Sequence, residues 1–185
     1  MGLNNNSVER QMEKPVVQHY SKIMIVLHWL TALCVLIAWL LSEGGPKILQ
    51  NPPIWHFAFG LAVLVLVVSR LIARLAGGTP PADPRNPALL RFAAKAGHAT
   101  LYAFLFAMPI SGWYAASALG IPVTVLGVTL PALTAPVQQP PGLIAELHST
   151  GGTVLLALAG LHALMAIYHQ FVLKDGTLRK MSPAE

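Results

Sequence analysis

An all-α, integral membrane four-helix bundle is the fold this sequence predicts, on three observations. Hydrophobic residues make up 55% of the 185-residue chain and charged residues only 10%, far from the balance of a soluble domain. Four apolar stretches are each long enough to cross a hydrocarbon core of about 30 Å, which takes about 20 residues in a helix. Eleven of the twelve basic residues fall on one side of those stretches: Arg10, Lys14 and Lys22, then Arg70, Arg74, Arg85, Arg91 and Lys95, then Lys174, Arg179 and Lys180. Only Lys47 lies in the other loops. Basic loops stay in the cytoplasm, so both termini are expected there. The net charge of +5 then records topology, with anionic membrane lipid as the partner and no nucleic acid.

Residues 1–21 read as a polar N-terminal tail, residues 22–174 as the transmembrane domain and residues 175–185 as a C-terminal tail. The first span is placed near Ile23 to Leu41. Its length, its preceding polar tail and its lack of a small-residue cleavage site set it apart from a removable signal peptide. It contains Cys34, the single cysteine. A disulfide framework and covalent haem attachment through a C-x-x-C-H motif are therefore both excluded.

The second span runs near Pro53 to Ile72, and the segment GGTPPADPRNP that follows is too rich in glycine and proline to continue it as a helix. The third span, near Phe92 to Ala116, contains Pro109, where a kink is expected. After it, residues 119–142 are uncharged and apolar enough to imitate a fifth span, yet they hold five prolines. Each proline removes a backbone donor that hydrocarbon cannot replace. An odd number of spans would also move the basic C-terminal tail across the membrane. This loop is read as a cap at the outer surface, with room for a short interfacial helix. The fourth span lies near Leu143 to Leu173.

That last span has lipid-grade composition except for His148, His162 and His169. Fourteen residues separate the first two, which at 100° per residue returns within about 40° of the same direction, roughly 21 Å along the axis. One helix thus offers two imidazoles on one face at two depths. With the N-terminus inside, His28 in the first span is level with His162, and His56, at the outer start of the second span, is level with His148. Two depth-matched pairs fit bis-histidine coordination of two haem b groups, an arrangement that fills both axial positions and suits electron transfer. Gly60, Gly151, Gly152 and Gly160 lie near these histidines and could let backbone approach a flat macrocycle, or simply serve helix packing. His98 and His169 sit near the cytoplasmic interface, beside the expected inner haem, and an exchange of ligand role between His98 and His28 stays open. Met108 and Met165 are read as packing residues. No phosphate loop, nucleophile elbow or zinc spacing is present, which excludes the usual soluble-enzyme chemistries.

The strings YSKIMIVLHWL, VVSRLIARLAGGTPP, GHATLYAFLFAMP and HSTGGTVLLALAGLHALMAIYH, the last followed by KDGTLRKM, resemble the bacterial cytochrome b561 family from Tyr20 to about Pro183. The resemblance implies a four-helix, two-haem protein of the bacterial inner membrane. The family's iron ligands fall on His28, His56, His148 and His162. It also implies similarity to the superoxide oxidase subgroup, oxidoreductases that pass electrons from superoxide at the outer face through two haems to ubiquinone. In the wider group the quinone binds by the inner haem, which here suggests His98, His169, Arg70 and Arg74.

One feature departs from that pattern. An anionic substrate is normally gathered by positive potential, yet the outer loops set Lys47 against Glu43 and Glu146. A periplasmic redox protein is the other candidate donor. Two further readings are an electron-transferring anchor subunit of a periplasmic dehydrogenase or hydrogenase, and a cofactor-free proton-coupled transporter with a histidine relay.

Overall fold

A computed structural model describes residues 19–42, 51–81, 86–137 and 142–182. Four helices carry the chain: α1 (Lys22–Leu40), α2 (Ile54–Gly77), α3 (Ala88–Ala118) and α4 (Leu143–Phe171). All four are long and apolar enough to cross a membrane. Most of the predicted tail at 1–21 lies outside the described residues. Ser21 caps α1 by accepting from the Met24 N–H at 3.3 Å, which satisfies one of the orphan donors of the first turn. Pro109 sits inside α3, which continues through it.

The helices form two hairpins, α1 with α2 and α3 with α4, joined chiefly by α2 against α3. Contact between α1 and α4 is sparse. Side-chain burial follows membrane rather than aqueous logic. Ile23, Leu75, Leu89 and Leu164 are largely exposed, as expected where lipid tails are the solvent. The central core is small: Val63, Val67, Leu105 and Leu155, with Val67 fully enclosed. Leu155 is the single buried residue of α4 and lies seven residues from His148 and seven from His162. An apolar layer therefore crosses the bundle midway between the two histidine depths.

Both described termini meet at the basic end of the bundle. The Tyr20 N–H donates to the Lys180 carbonyl at 3.1 Å, and the Trp29 indole donates to the Met181 carbonyl at 3.0 Å. A 3-10 helix, Leu178–Met181, gives the predicted C-terminal tail a fixed place.

At the opposite end the loop after α3 is a cap, but not the interfacial helix allowed for above. It forms a two-stranded antiparallel hairpin, β1 (Thr124–Val125) with β2 (Val128–Thr129). Leu126 and Gly127 make its turn with φ of 52° and 81°, the doubly left-handed geometry whose twist matches a tight hairpin. The β-branched residues Val123, Thr124, Val125, Val128 and Thr129 favour strand over helix. The cap is tied down where Ser117 Oγ accepts from the Leu133 N–H at 3.1 Å and where the Trp113 indole donates to the Pro131 carbonyl at 3.1 Å. Ile121 and Val123 bury themselves beside Ala116, against Phe57 and Leu61 of α2.

Candidate functional site

The structure brings the four histidines together in two pairs. At the capped end, His56 on the first turn of α2 and His148 on α4 have ring centres 5.9 Å apart, with their planes at 90°. The Nδ1–H of His56 donates to the Ala38 carbonyl at 2.7 Å. Ser111 Oγ donates to the Met108 carbonyl at 3.0 Å, so at its 3.1 Å contact with His148 it accepts from Nδ1–H. Both rings thus hold their proton on Nδ1 and keep the Nε2 lone pair, the tautomer a metal-binding histidine needs. Gly112 is what lets His148 sit there: a Cβ on Gly112 would fall 2.6 Å from His148 Cε1. Gly60 and Val123 line the space between the two rings.

At the basic end, three imidazoles gather. His162 lies 6.3 Å from His28 and 5.2 Å from His98, centre to centre. Arg70 Nη2 is 3.1 Å from His28 Nδ1, its guanidinium carbon lies 5.6 Å from the Tyr102 ring centre, and its Nε is buried without a hydrogen-bond partner among the described residues. The His98 Nδ1–H donates to the Ala94 carbonyl at 2.6 Å. Arg74, one turn beyond Arg70, makes no hydrogen bond to these rings among the described residues.

The sequence profile of the prokaryotic cytochrome b561 family matches residues 19–184. The chain belongs to that family. It is 32% identical over 168 residues to a probable superoxide oxidase CybB of Yersinia pestis, covering 89% of this chain and 96% of the relative. It is also similar to cytochrome b561 homolog 2 of Escherichia coli K12, at 30% over 174 residues and 89% and 91% coverage. Cytochrome b561 homolog 1 of the same strain is 30% identical over 175 residues, with 90% and 98% coverage. As a cytochrome b561, the chain is a multi-pass bacterial membrane protein of electron transfer, and the family implies haem b.

The residues present fit that cofactor. Two imidazoles that shared one metal ion through bonds of about 2.0 Å would have ring centres roughly 6 Å apart. The 5.9 Å and 6.3 Å pairs meet this spacing, while 5.2 Å for His98 with His162 is short for it. The tautomer of His28 points the other way, because a guanidinium only donates and so occupies the Nδ1 lone pair. Binding through Nε2 requires Arg70 to release that contact, and the unpartnered Arg70 Nε marks it as the side chain whose hydrogen bonding is incomplete. Haem iron held this way supplies reversible one-electron chemistry.

His169 stands apart from the ring cluster, seven residues past His162, and pairs with Asp175 at 2.6 Å. Asp175, Asn86, Ser111 and Gly112 were not singled out from the sequence. The proline-glycine-serine context of the last two hid them, and for Asp175 the KDG string was the available signal. Of the glycines expected near the histidines, Gly60 lines the space between His56 and His148, Gly151 and Gly152 pack on Met108, and both Gly60 and Gly160 leave open space, with nothing within 4 Å of a Cβ built on them.

Asp175 also gives a pH prediction. Burial raises its pKa, but hydrogen bonds from Asn86, His169 and Thr177 outweigh burial and hold it well below the usual carboxylate range. A depressed folded pKa adds stability that is present above the unfolded value of about 3.9 and fades as the pH falls below it. Acidification below about pH 4 should therefore loosen residues 175–182 progressively and ahead of the bundle, measured as hydrogen exchange of their amides rising ahead of that of α2 and α3.

Proposed function

We propose that this protein is a di-haem cytochrome b of the inner membrane that carries single electrons from the periplasmic side to ubiquinone. The observation that carries this reading is the pair of imidazole pairs at iron-bridging spacing, separated by the apolar layer at Val67 and Leu155. The basic end, with both termini, is the cytoplasmic one. The outer haem lies between His56 and His148, and the inner between His28 and His162. Ubiquinone receives electrons near the inner haem, where His98, His169, Arg70 and Arg74 are the polar groups at hand and where Arg70 Nε and Gln170 Oε1 lack partners.

Superoxide is the proposed donor, supported by the relative named a probable superoxide oxidase. Two superoxide ions become two dioxygen molecules, and one ubiquinone takes the two electrons with two protons. A periplasmic redox protein is the second reading, favoured by the uncharged cap and by Leu126, which is 96% exposed at its tip.

The test starts from a dithionite-reduced minus oxidised spectrum with haem quantified per chain, where two b-type haems are expected. Superoxide should then reduce a ubiquinone analogue in the presence of the protein, with little dependence on salt because the cap lacks steering charge. A colourless protein after haem-supplemented expression would make the histidine-relay transporter the better reading. Two haems that superoxide cannot reduce would leave the protein donor.

A further inference from the structure

His169 and Asp175 are the hydrogen-bonded pair of titratable side chains that the electron path does not use, and the chain goes to some length to build it. After α4 the backbone turns through Lys174 at φ 53° and Gly176 at φ 71°. A lysine in the left-handed region is held there against its steric preference. The turn buries Asp175 with its side chain 4% exposed. Oδ2 accepts from His169 Nδ1–H at 2.6 Å and from Asn86 Nδ2 at 3.0 Å, and Oδ1 accepts from the Thr177 N–H at 3.0 Å. The Asp175 N–H in turn donates to the His169 carbonyl at 3.2 Å. An ionised carboxylate only accepts, so the neutral imidazole keeps its proton on Nδ1 and its lone pair on Nε2.

Among the described residues Nε2 has no hydrogen-bond partner, and the neighbouring Gln170 Oε1 is buried without one. Seven residues past His162 is a rotation within about 20° of the same face and roughly 10 Å further toward the basic end. His169 therefore continues the stripe that carries His148 and His162.

We infer that Asp175 is the positioning residue of a proton-delivering dyad, with His169 handing protons from the cytoplasmic side to the oxygens of a quinone reduced at the basic end. This rests on the quinone-reducing reading above. Ubiquinone takes up two electrons and two protons. For each electron delivered, one proton leaves Nε2 of the His169 imidazolium and is replaced from cytoplasmic water. The Asp175 carboxylate accepts from Nδ1–H and so fixes the ring with Nε2 as the nitrogen that exchanges the proton. The charged groups on the surrounding elements are Arg91 on the first turn of α3, Lys174 on the turn, and Arg179 and Lys180 on the 3-10 helix. Tyr168 also contacts the ring edge-on, at 6.4 Å.

The experiment uses haem-loaded protein, pre-reduced and mixed in a stopped-flow instrument with a ubiquinone analogue or with ferricyanide, which takes electrons without protons, between pH 5.5 and 9. Asp175→Asn keeps the size of the side chain and an acceptor for Thr177. It should keep both haems and wild-type reoxidation by ferricyanide, while reoxidation by quinone falls by roughly 10- to 100-fold at pH 8. Its reoxidation by quinone should also show a larger solvent deuterium isotope effect than the wild type, because proton delivery then limits the rate. His169→Gln should show the same loss and the same isotope effect, and it carries the test if Asp175→Asn does not retain haem. Wild-type quinone kinetics and isotope effect in these variants would overturn the dyad. A wild-type protein that ferricyanide oxidises and ubiquinone does not would overturn the quinone reading, and the dyad with it.

Discussion

On the di-haem, quinone-reducing reading proposed above, replacement of His162 by alanine is expected to take the haem content from two per chain to one and to abolish electron delivery to quinone. His162 is the shared member of the basic-end cluster, with His28 at 6.3 Å and His98 at 5.2 Å, so its removal takes away the ring that both neighbours face. The retained haem should be the one between His56 and His148, because the apolar layer at Val63, Val67, Leu105 and Leu155 separates the two sites. Loss of a direct ligand should exceed the 10- to 100-fold effect typical of groups that only orient one. The companion variants separate the two candidates for the facing ligand. His28→Ala should lose the inner haem while His98→Ala keeps it, as the iron-bridging spacing favours His28. The reverse pattern, read in the same pyridine haemochrome and reduced-minus-oxidised spectra, would give the role to His98. Two haems retained in His162→Ala would sink the pairing.

Gly112→Val is expected to empty the capped-end site by steric force alone, with no ligand touched. A Cβ on Gly112 would lie 2.6 Å from His148 Cε1 and 3.1 Å from both ring nitrogens, and valine adds two methyl groups to it. The imidazole has little room to yield, since Ser111 of the same helix fixes its Nδ1. Either His148 swings out of register with His56 or α3 and α4 separate, and close-packed interiors accommodate such shifts at a cost of about 1–3 kcal/mol. The expected result is loss of the haem bound by His56 and His148 by at least about tenfold in occupancy, with the basic-end haem intact. Gly77→Ala is the control, because a Cβ there meets nothing within 4 Å; it should keep both haems. Unchanged haem content in Gly112→Val would mean that the His148 ring does not occupy the place described.

The four helices were legible in the sequence because hydrocarbon imposes a length and a composition that few other environments demand. The pairing of His28 with His162 and of His56 with His148 was legible because helical periodicity and a charge-defined topology together give direction and depth. The cap was harder. Its prolines ruled out a span, but a turn that places Leu126 at positive φ runs against the preference for Asn or Gly there, so the hairpin had no strong local signal. Asp175 was harder still, since an Asp-Gly pair after a helix reads as an ordinary turn until its carboxylate is seen buried against His169 and Asn86.

By itself, then, the sequence determined the number of helices, the expected orientation of the bundle, the face on which α4 carries its histidines and the family. Those follow from one-dimensional quantities: hydropathy, charge order and a 3.6-residue period. The tertiary structure alone decided that Gly112 makes room for His148, that Ser111 and Ala38 fix the tautomers of the capped-end pair, that His98 joins His28 around His162, and that Asp175 folds back onto His169. Each of these depends on how one helix is rotated and placed against another. Periodicity fixes directions within a helix, whereas the neighbour a side chain meets is set by packing between helices.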